Sequence, residues 1–289
     1  MKQQKSFEQQ TPTLYIVATP IGNLGELTPR AKEILESVDV IAAEDTRNTI
    51  KLLSHFQIQT HLIAHHKFNE AASSKGIVQL LKEGKNVAVV SDAGYPLISD
   101  PGRELVKEVI DAGFNAVPVS GSNAMLNALV ASGLQPQPFL FYGFLSSNEK
   151  QRIRELHTLK NYPMTLVFYE APHRIEKMLK NCLEVFGDRE MCLARELTKR
   201  HEEFLRGTIS EIINEASKRK GEMVVVIAGH EEEKDIDVTQ AMPLLKEHIQ
   251  SYIKEGMTTN EAIKRVARER GMSKNEIYKE YHGLNYKEL

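Results

Sequence analysis

The chain predicts an α/β protein of two domains followed by a small helical appendage. Three observations carry that prediction: short valine-rich apolar runs alternate with stretches of helical period, the rhythm breaks at QPQPF (135–139), and the charged run HEEEKDID (230–237) precedes purely helical sequence. These breaks divide the chain into a polar, mobile leader (1–12), an N-terminal α/β domain (13–136), a C-terminal α/β domain (137–230), and a linker with helical appendage (231–289). A length of 289 residues with 41% hydrophobic and 26% charged residues is enough for two well-buried cores.

Leu14–Ala18 reads as a first buried strand. It runs into TPIGNLGELTPRA, where Pro20, Gly22 and Gly25 impose a turn and Thr28 with Pro29 forms the N-cap and first residue of a helix to Ser37. A strand at Val38–Ala43 hands over through Glu44, Asp45, Thr46 and Arg47 to a helix at Thr49–Phe56. Strand Leu62–Ala64 and helix Ala71–Glu83 follow. After them comes VAVVSDAGYPLISDPG (87–102), a buried strand, a loop, and a helix that Asp100 caps and Pro101 begins. Strand Asn115–Val119, the small-residue turn SGSNA and helix Met125–Ala131 close a domain whose strand-helix alternation implies a mostly parallel sheet.

Beyond the break, strands are expected at Phe139–Gly143, Met164–Tyr169, Met191–Arg195, Glu203–Arg206 and Glu222–Ala228. Helices are expected at Ser147–Leu159, Arg174–Phe186 and Ile209–Ser217. In the appendage, Met242–Ile253, Thr259–Arg270 and Ser273–Tyr281 read as helices, with Gly271 as a C-cap. Helix, short turn, helix is the helix-turn-helix pattern, but the glutamates among its basic residues favour a packing appendage or dimer element.

The loop after Val90 lies at the carboxyl end of a strand, where open α/β sheets bind ligands. It offers Asp92 and Asp100 and no lysine, and TPIGNLG matches neither GxxxxGK[ST] nor GxGxxG, so a phosphate cradle is disfavoured. Two carboxylates suit a cationic, donor-rich ligand such as S-adenosylmethionine, or else serve only as a turn residue and a cap. His55, His61, His65 and His66 match no metal-ligand spacing, and SGS (120–122) is no nucleophile elbow. No metal is expected. A net charge of -2 excludes a global basic field, so a nucleic-acid partner must be held locally. Cys182 and Cys192 read as buried free thiols, and with no signal peptide or membrane-length apolar run a cytoplasmic location is expected.

TPIGNLGELTPRA, AEDTR (43–47), SDAGYPLISDPG, FYEAPHR (168–174), ARELTKRHEE (194–203) and KGEMVVVIAG (220–229) together resemble the successive motifs of the ribosomal small-subunit RNA methyltransferase I family. That family belongs to the tetrapyrrole-methylase-like class of S-adenosylmethionine-dependent enzymes. The resemblance runs from Leu14 to about Gly229, and the helical tail is similar to an appendage such enzymes carry. One departure is PVSGSNA (118–124), where Ser120 and Ser122 replace the prolines more usual on each side of the glycine.

The resemblance implies two α/β domains of the tetrapyrrole-methylase type with the cofactor in the cleft between them, and a homodimer. It implies methyl transfer to the ribose 2′-hydroxyl of a cytidine in the decoding region of 16S rRNA, as naked RNA or in the small subunit. Carried over by position, the cofactor contacts are Pro20, Ala93, Gly94, Tyr95, Ile98, Ser99, Asn123, Ala124, Tyr169, Ala194 and Leu197, with Asp92 a brace. RNA-backbone contacts are expected from Arg47, Lys67, His173, Arg174, Arg195 and Arg200. A 2′-hydroxyl is a weak nucleophile, so a base or strict in-line placement is needed. Glu44, Asp45 and Lys199 are the catalytic candidates, from a wider set that includes Asp100, Glu170 and Glu196; Glu44, Asp45 and Arg47 also fit a helix cap with an ion pair. A methylase of tetrapyrroles or other small molecules, and a non-enzymatic RNA-binding factor, are the competing readings.

Overall fold

The structure, a computed structural model, describes residues 3–6, 11–66, 69–100, 102–231 and 244–282. Residues 1–230 form one compact unit and 231–289 a second.

The first sheet is all-parallel. Its strands β1 (Thr13–Val17), β2 (Val40–Ala43), β3 (His61–Ala64), β4 (Val87–Val90) and β5 (Asn115–Val119) lie in the order β3-β2-β4-β1-β5. Each is followed by a helix: α1 (Pro29–Ser37), α2 (Thr46–His55), α3 (Glu70–Lys82), α4 (Arg103–Asp111) and α5 (Ala124–Ala131). Alternate side chains leave opposite faces of a strand, yet here both sets are apolar. Ile41, Ala88 and Val90 pack with Leu35 and Leu53, while Val40, Val87 and Val89 pack with Ile77, Leu81, Leu105 and Val109. Burial on both faces is why these strands read as unbroken apolar runs.

The strand order decides where the site lies. β2, β4, β1 and β5 are consecutive neighbours, so the loops that follow them, EDTR, SDAGYPLISD, TPIGN and SGSN, meet at one edge. Thr19 and Gly94 join two of these loops with reciprocal backbone hydrogen bonds of 2.9 and 3.0 Å. At the free edge, the expected mobile leader is partly docked: Gln4 donates its side-chain amide to the Ala116 carbonyl and accepts from the Ala116 N–H. With Pro118 on the same strand, this blunts an edge that would otherwise template pairing.

The second sheet is mixed. Strands β6 (Phe139–Phe144), β7 (Thr165–Glu170), β8 (Glu190–Arg195), β9 (Glu203–Thr208) and β10 (Met223–Ile227) run in the order β6-β7-β10-β8-β9. Only β6 and β7 pair in parallel. Helices α6 (Glu149–Leu159), α7 (Ile175–Phe186) and α8 (Ile209–Ala216) cover one face around Leu156, Phe168, Met178 and Val225. The opposite face, through Val167, Cys192, Ala194, Val224 and Val226, packs on Ala128 and Leu129 of α5 and on Ile21. A helix from the first half thus completes the core of the second. The break expected at 136/137 lies inside one compact unit. Both cysteines are free and buried.

KGEMVVVIAG ends in a glycine for a packing reason. A Cβ at Gly229 would overlap the Pro163 carbonyl. Gly229→Ala is expected to cost roughly 2–3 kcal/mol and lower the melting temperature by about 5–10 °C, measured by thermal unfolding.

The second unit packs α9 (Leu245–Lys254), α10 (Thr259–Glu269) and α11 (Lys274–His282) around Ile249, Ile263, Val266 and Ile277. Thr258 and Glu261 form a capping box for α10, and Gly271 takes the left-handed turn at its end with φ +66°. Among the described residues no helix is long and apolar enough to cross a membrane.

Candidate active site

A cavity of about 410 Å³ opens where the four strand-end loops of the first sheet face the second sheet. Such a volume holds a cofactor-sized ligand. Ala93, Gly94, Tyr95, Ile98 and Ser99 line one side, Asn123 and Ala124 the start of α5, and Tyr169 and Leu197 the second half. Of the expected cofactor contacts only Pro20 and Ala194 do not line it. Ile21 takes the place of Pro20, and Ala194 is fully buried in the core against α5.

Local sequence explains the cradle. Asn123 caps α5 by accepting from the Leu126 N–H at 3.0 Å, which sets the start of the helix, Asn123 and Ala124, in the cavity lining. Ser122 replaces the rigidity of a proline with a side-chain hydrogen bond, and backbone groups hold the rest of the turn. Ser122 Oγ donates to Glu26 at 2.7 Å, Thr28 donates to the Ser120 carbonyl at 3.2 Å, and the Gly121 N–H reaches the Tyr95 hydroxyl at 3.3 Å. Gly121 itself sits so close to β1 that a Cβ would lie 2.8 Å from the Ala18 methyl. The central loop carries strain, with Leu97 and Ser99 at φ +73° and +67°. Across the cleft, Glu196 and Thr198 are also left-handed, at +50° and +67°.

The cavity is acidic. Glu44, Asp92, Asp100, Glu170 and Glu222 line it, with no lysine or arginine lining it among the described residues. The Asp92 carboxylate accepts from Asn48 Nδ2 at 2.9 Å, which ties the central loop to α2. Asp100 is not the helix cap that the Asp-Pro-Gly pattern predicts. Gly102, at φ +127°, is the N-cap of α4, and its N–H is satisfied by Glu70 at 2.8 Å, while Pro101 lies outside the described residues. Freed from capping, the Asp100 carboxyl lines the cavity, and burial with the neighbouring Glu44 and Asp92 charges pushes its pKa up to about 6, against a Ser91 hydrogen bond that lowers it.

Glu170 is nearly fully buried. It accepts from the Ala171 N–H at 2.8 Å and pairs with Arg174 at 3.1 Å, and burial raises its pKa.

Two catalytic candidates are placed away from the cavity lining. Asp45 caps α2 and is bound by the Arg47 guanidinium at 2.6 and 3.0 Å, which holds its carboxyl down to about 2. That is the cap-and-ion-pair reading of the trio. Lys199 bridges Glu196 and Glu222, each at 3.0 Å, and those carboxylates keep its ammonium protonated despite partial burial. Its stem crosses Gly22 so closely that a Cβ there would lie 2.5 Å from Lys199 Cγ.

The expected RNA contacts divide. Arg47, His173 and Arg200 are exposed. Arg174 is tied to Glu170 and the Leu145 carbonyl, and Arg195 to Glu203 and the Lys220 carbonyl, so both are framework residues. Lys67 lies outside the described residues. Among the described residues no group of histidine, cysteine and acidic side chains could hold a metal.

A parallel sheet and a mixed sheet sharing one cleft, with strained loops over an acidic cavity, define a methylase of the tetrapyrrole type. The family model described as Tetrapyrrole (Corrin/Porphyrin) Methylases matches residues 13–213. Solved structures with this fold include a cobalt precorrin-4 methyltransferase (TM-score 0.57, 18% identity, 74% of this chain and 94% of that one) and a diphthine synthase (TM-score 0.59, 11% identity, 76% and 92%). Much nearer in sequence are proteins named ribosomal RNA small subunit methyltransferase I. That of Bacillus subtilis (strain 168) is 48% identical over 98% of this chain and 99% of its own, and that of Halalkalibacterium halodurans is 45% identical over 98% and 99%. The chain belongs to the ribosomal RNA small subunit methyltransferase I family, and is a methyltransferase.

Proposed function

We propose that the chain transfers the methyl group of S-adenosylmethionine to the ribose 2′-hydroxyl of a cytidine in the decoding region of 16S rRNA, acting as a cytoplasmic homodimer on the RNA or the small subunit. The observation that carries the cofactor assignment is the presence of Glu44, Asp92 and Asp100 in the cavity lining, none of them in an ion pair among the described residues, which suits a sulfonium and an ammonium and opposes a phosphate. The relatives' names support the RNA substrate. Leu126 and Val130, exposed one helical turn apart on α5, support self-association.

The backbone from Ala93 to Ser99 and the start of α5 would seat the cofactor, whose bound form supplies an electrophilic methyl group. Asp100 would accept the 2′-hydroxyl proton as the methyl group passes to that oxygen, the carbon–sulfur bond breaking and the donor leaving as a neutral thioether. Its elevated pKa makes it a stronger base than a free aspartate while leaving it mostly ionised at neutral pH. Glu44 contributes by raising Asp100, and Lys199 holds the Glu196–Glu222 loop pair beside the TPIGN turn. Exposed Arg47, His173 and Arg200 meet phosphates.

Transfer of labelled methyl to small ribosomal subunits lacking the modification, with the labelled nucleotide mapped, tests this. Label on a ribose of a decoding-region cytidine is the expected result. Label on a base, on a small molecule alone, or nowhere rejects the proposal.

A further inference from the structure

We infer that Phe144 is the stacking platform for the nucleobase of the methylated nucleotide, with Ile98 closing on the same ring from the other wall of the cavity mouth. The inference rests on the RNA reading above and adds a subsite to it.

Alternation along a regular strand sends residues three apart to opposite faces. Phe141 and Phe144 nevertheless both pack on Tyr169, with ring centroids 4.9 and 5.6 Å from it and edge-to-face angles of 67° and 61°. The cause is a bulge in β6. Phe141 pairs with Val167 and Gly143 with Phe168, so Tyr142 is an extra residue, and Gly143 takes φ +83°. The irregularity turns Phe144 onto the cavity side, where it is 54% exposed and lines the site. An apolar ring left that open at the mouth of a cavity lined by both carboxylates and apolar side chains is a surface for a ligand.

The other wall is set with equal care. Ile98, 45% exposed and also lining the cavity, lies between the left-handed residues Leu97 and Ser99. The two walls touch at the bulge: a Cβ on Gly143 would sit 3.4 Å from Ser99 Oγ. Strain on one side and a bulge on the other therefore hold two apolar surfaces over one mouth. The carboxylates that suit the cofactor's cations, Glu44, Asp92 and Asp100, follow β2 and β4 in the first sheet, leaving the Phe144 ring of the second sheet and the Ile98 side chain to a flat, uncharged ring. A base drawn from an RNA stack needs such a cover on its faces, and aromatic side chains supply it in single-stranded RNA recognition.

The test uses the full chain and small ribosomal subunits lacking the modification. Phe144→Ala is expected to lower kcat/KM for subunits about 10- to 100-fold. Phe144→Trp should stay within about threefold of wild type, and S-adenosylmethionine affinity by calorimetry should be unchanged in both. Because Phe144 is exposed, the melting temperature should hold. Wild-type kcat/KM in Phe144→Ala overturns the inference, as does weakening of S-adenosylmethionine binding by the same factor, which would place Phe144 in the cofactor seat. Absence of transfer by the wild-type protein would instead bring down the functional reading, and the subsite with it.

Discussion

Asp100→Asn is expected to lower kcat by about 10²- to 10⁴-fold with S-adenosylmethionine binding retained. The amide keeps the shape of the side chain and its contact with Ser91 but cannot accept the 2′-hydroxyl proton. In the wild-type protein, the single-turnover rate should rise with pH through an apparent pKa near 6 and then level off, since only the ionised carboxylate is a base. Asp100→Glu should recover part of the rate, while Asp45→Asn should leave the pH profile in place. A wild-type rate in Asp100→Asn would remove Asp100 from the chemistry.

The same substitution should stabilise the protein. Folding raises the pKa of Asp100 above that of the unfolded chain, so the folded state favours the protonated form. That contribution is complete below about pH 4 and is lost as pH rises through about 6, which leaves a penalty at neutral pH. After allowance for solvent screening, relief of this penalty is worth on the order of 1–2 kcal/mol. Asp100→Asn should therefore melt a few degrees higher than wild type at pH 8 and at nearly the same temperature at pH 4. A variant that loses activity and gains stability in this pH-dependent way separates catalysis from fold damage.

The second large effect is expected from Ala93→Trp. Ala93 lines the cavity, is exposed, and is absent from the left-handed residues of its loop, so a large side chain meets no backbone strain there. Gly94 next door is a poorer choice, being buried at φ +78° with its backbone bound to Thr19. An indole at 93 fills the seat, and calorimetry should show S-adenosylmethionine affinity falling by more than about 100-fold, or ~2.7 kcal/mol, with the melting temperature held. Unchanged affinity would move the cofactor out of the central loop.

Much of this was legible in the sequence, for reasons that can be named. Strands β1, β2 and β4 are buried on both faces, so their apolar runs are continuous and hard to mistake. Thr28, followed by Pro29, marks a helix start and caps it by accepting from the Ala31 N–H. Asp100 was misread because Asp-Pro-Gly is also a helix-start pattern, and nothing local reveals that Gly102 takes the cap at φ +127°. Ala194 was misplaced for a different reason: it belongs to the correct strand end but faces α5, and that facing depends on a helix more than sixty residues earlier in the chain. Glu222, Met223 and Val224 reach the cavity only because β10 inserts between β7 and β8. Such antiparallel insertion leaves no local signature.

One feature of the architecture bears on how the enzyme chooses what it modifies. Helix α5 belongs to the first sheet by chain order and to the second by its core, where Ala128 and Leu129 pack on Val167, Cys192 and Val226. Arg206 of β9 also reaches across to donate to the carbonyls of Ala131 and Ser132 at the end of that helix. Parting the two halves would strip apolar surface from both. Because opening the gap between the sheets would expose that shared core, the cavity is expected to act as a gauge of nearly constant width rather than as a jaw. Discrimination among nucleotides then falls on the substrate, which must deform to present one ribose at a fixed aperture. RNA already held in a splayed, single-stranded shape meets that demand at the least cost.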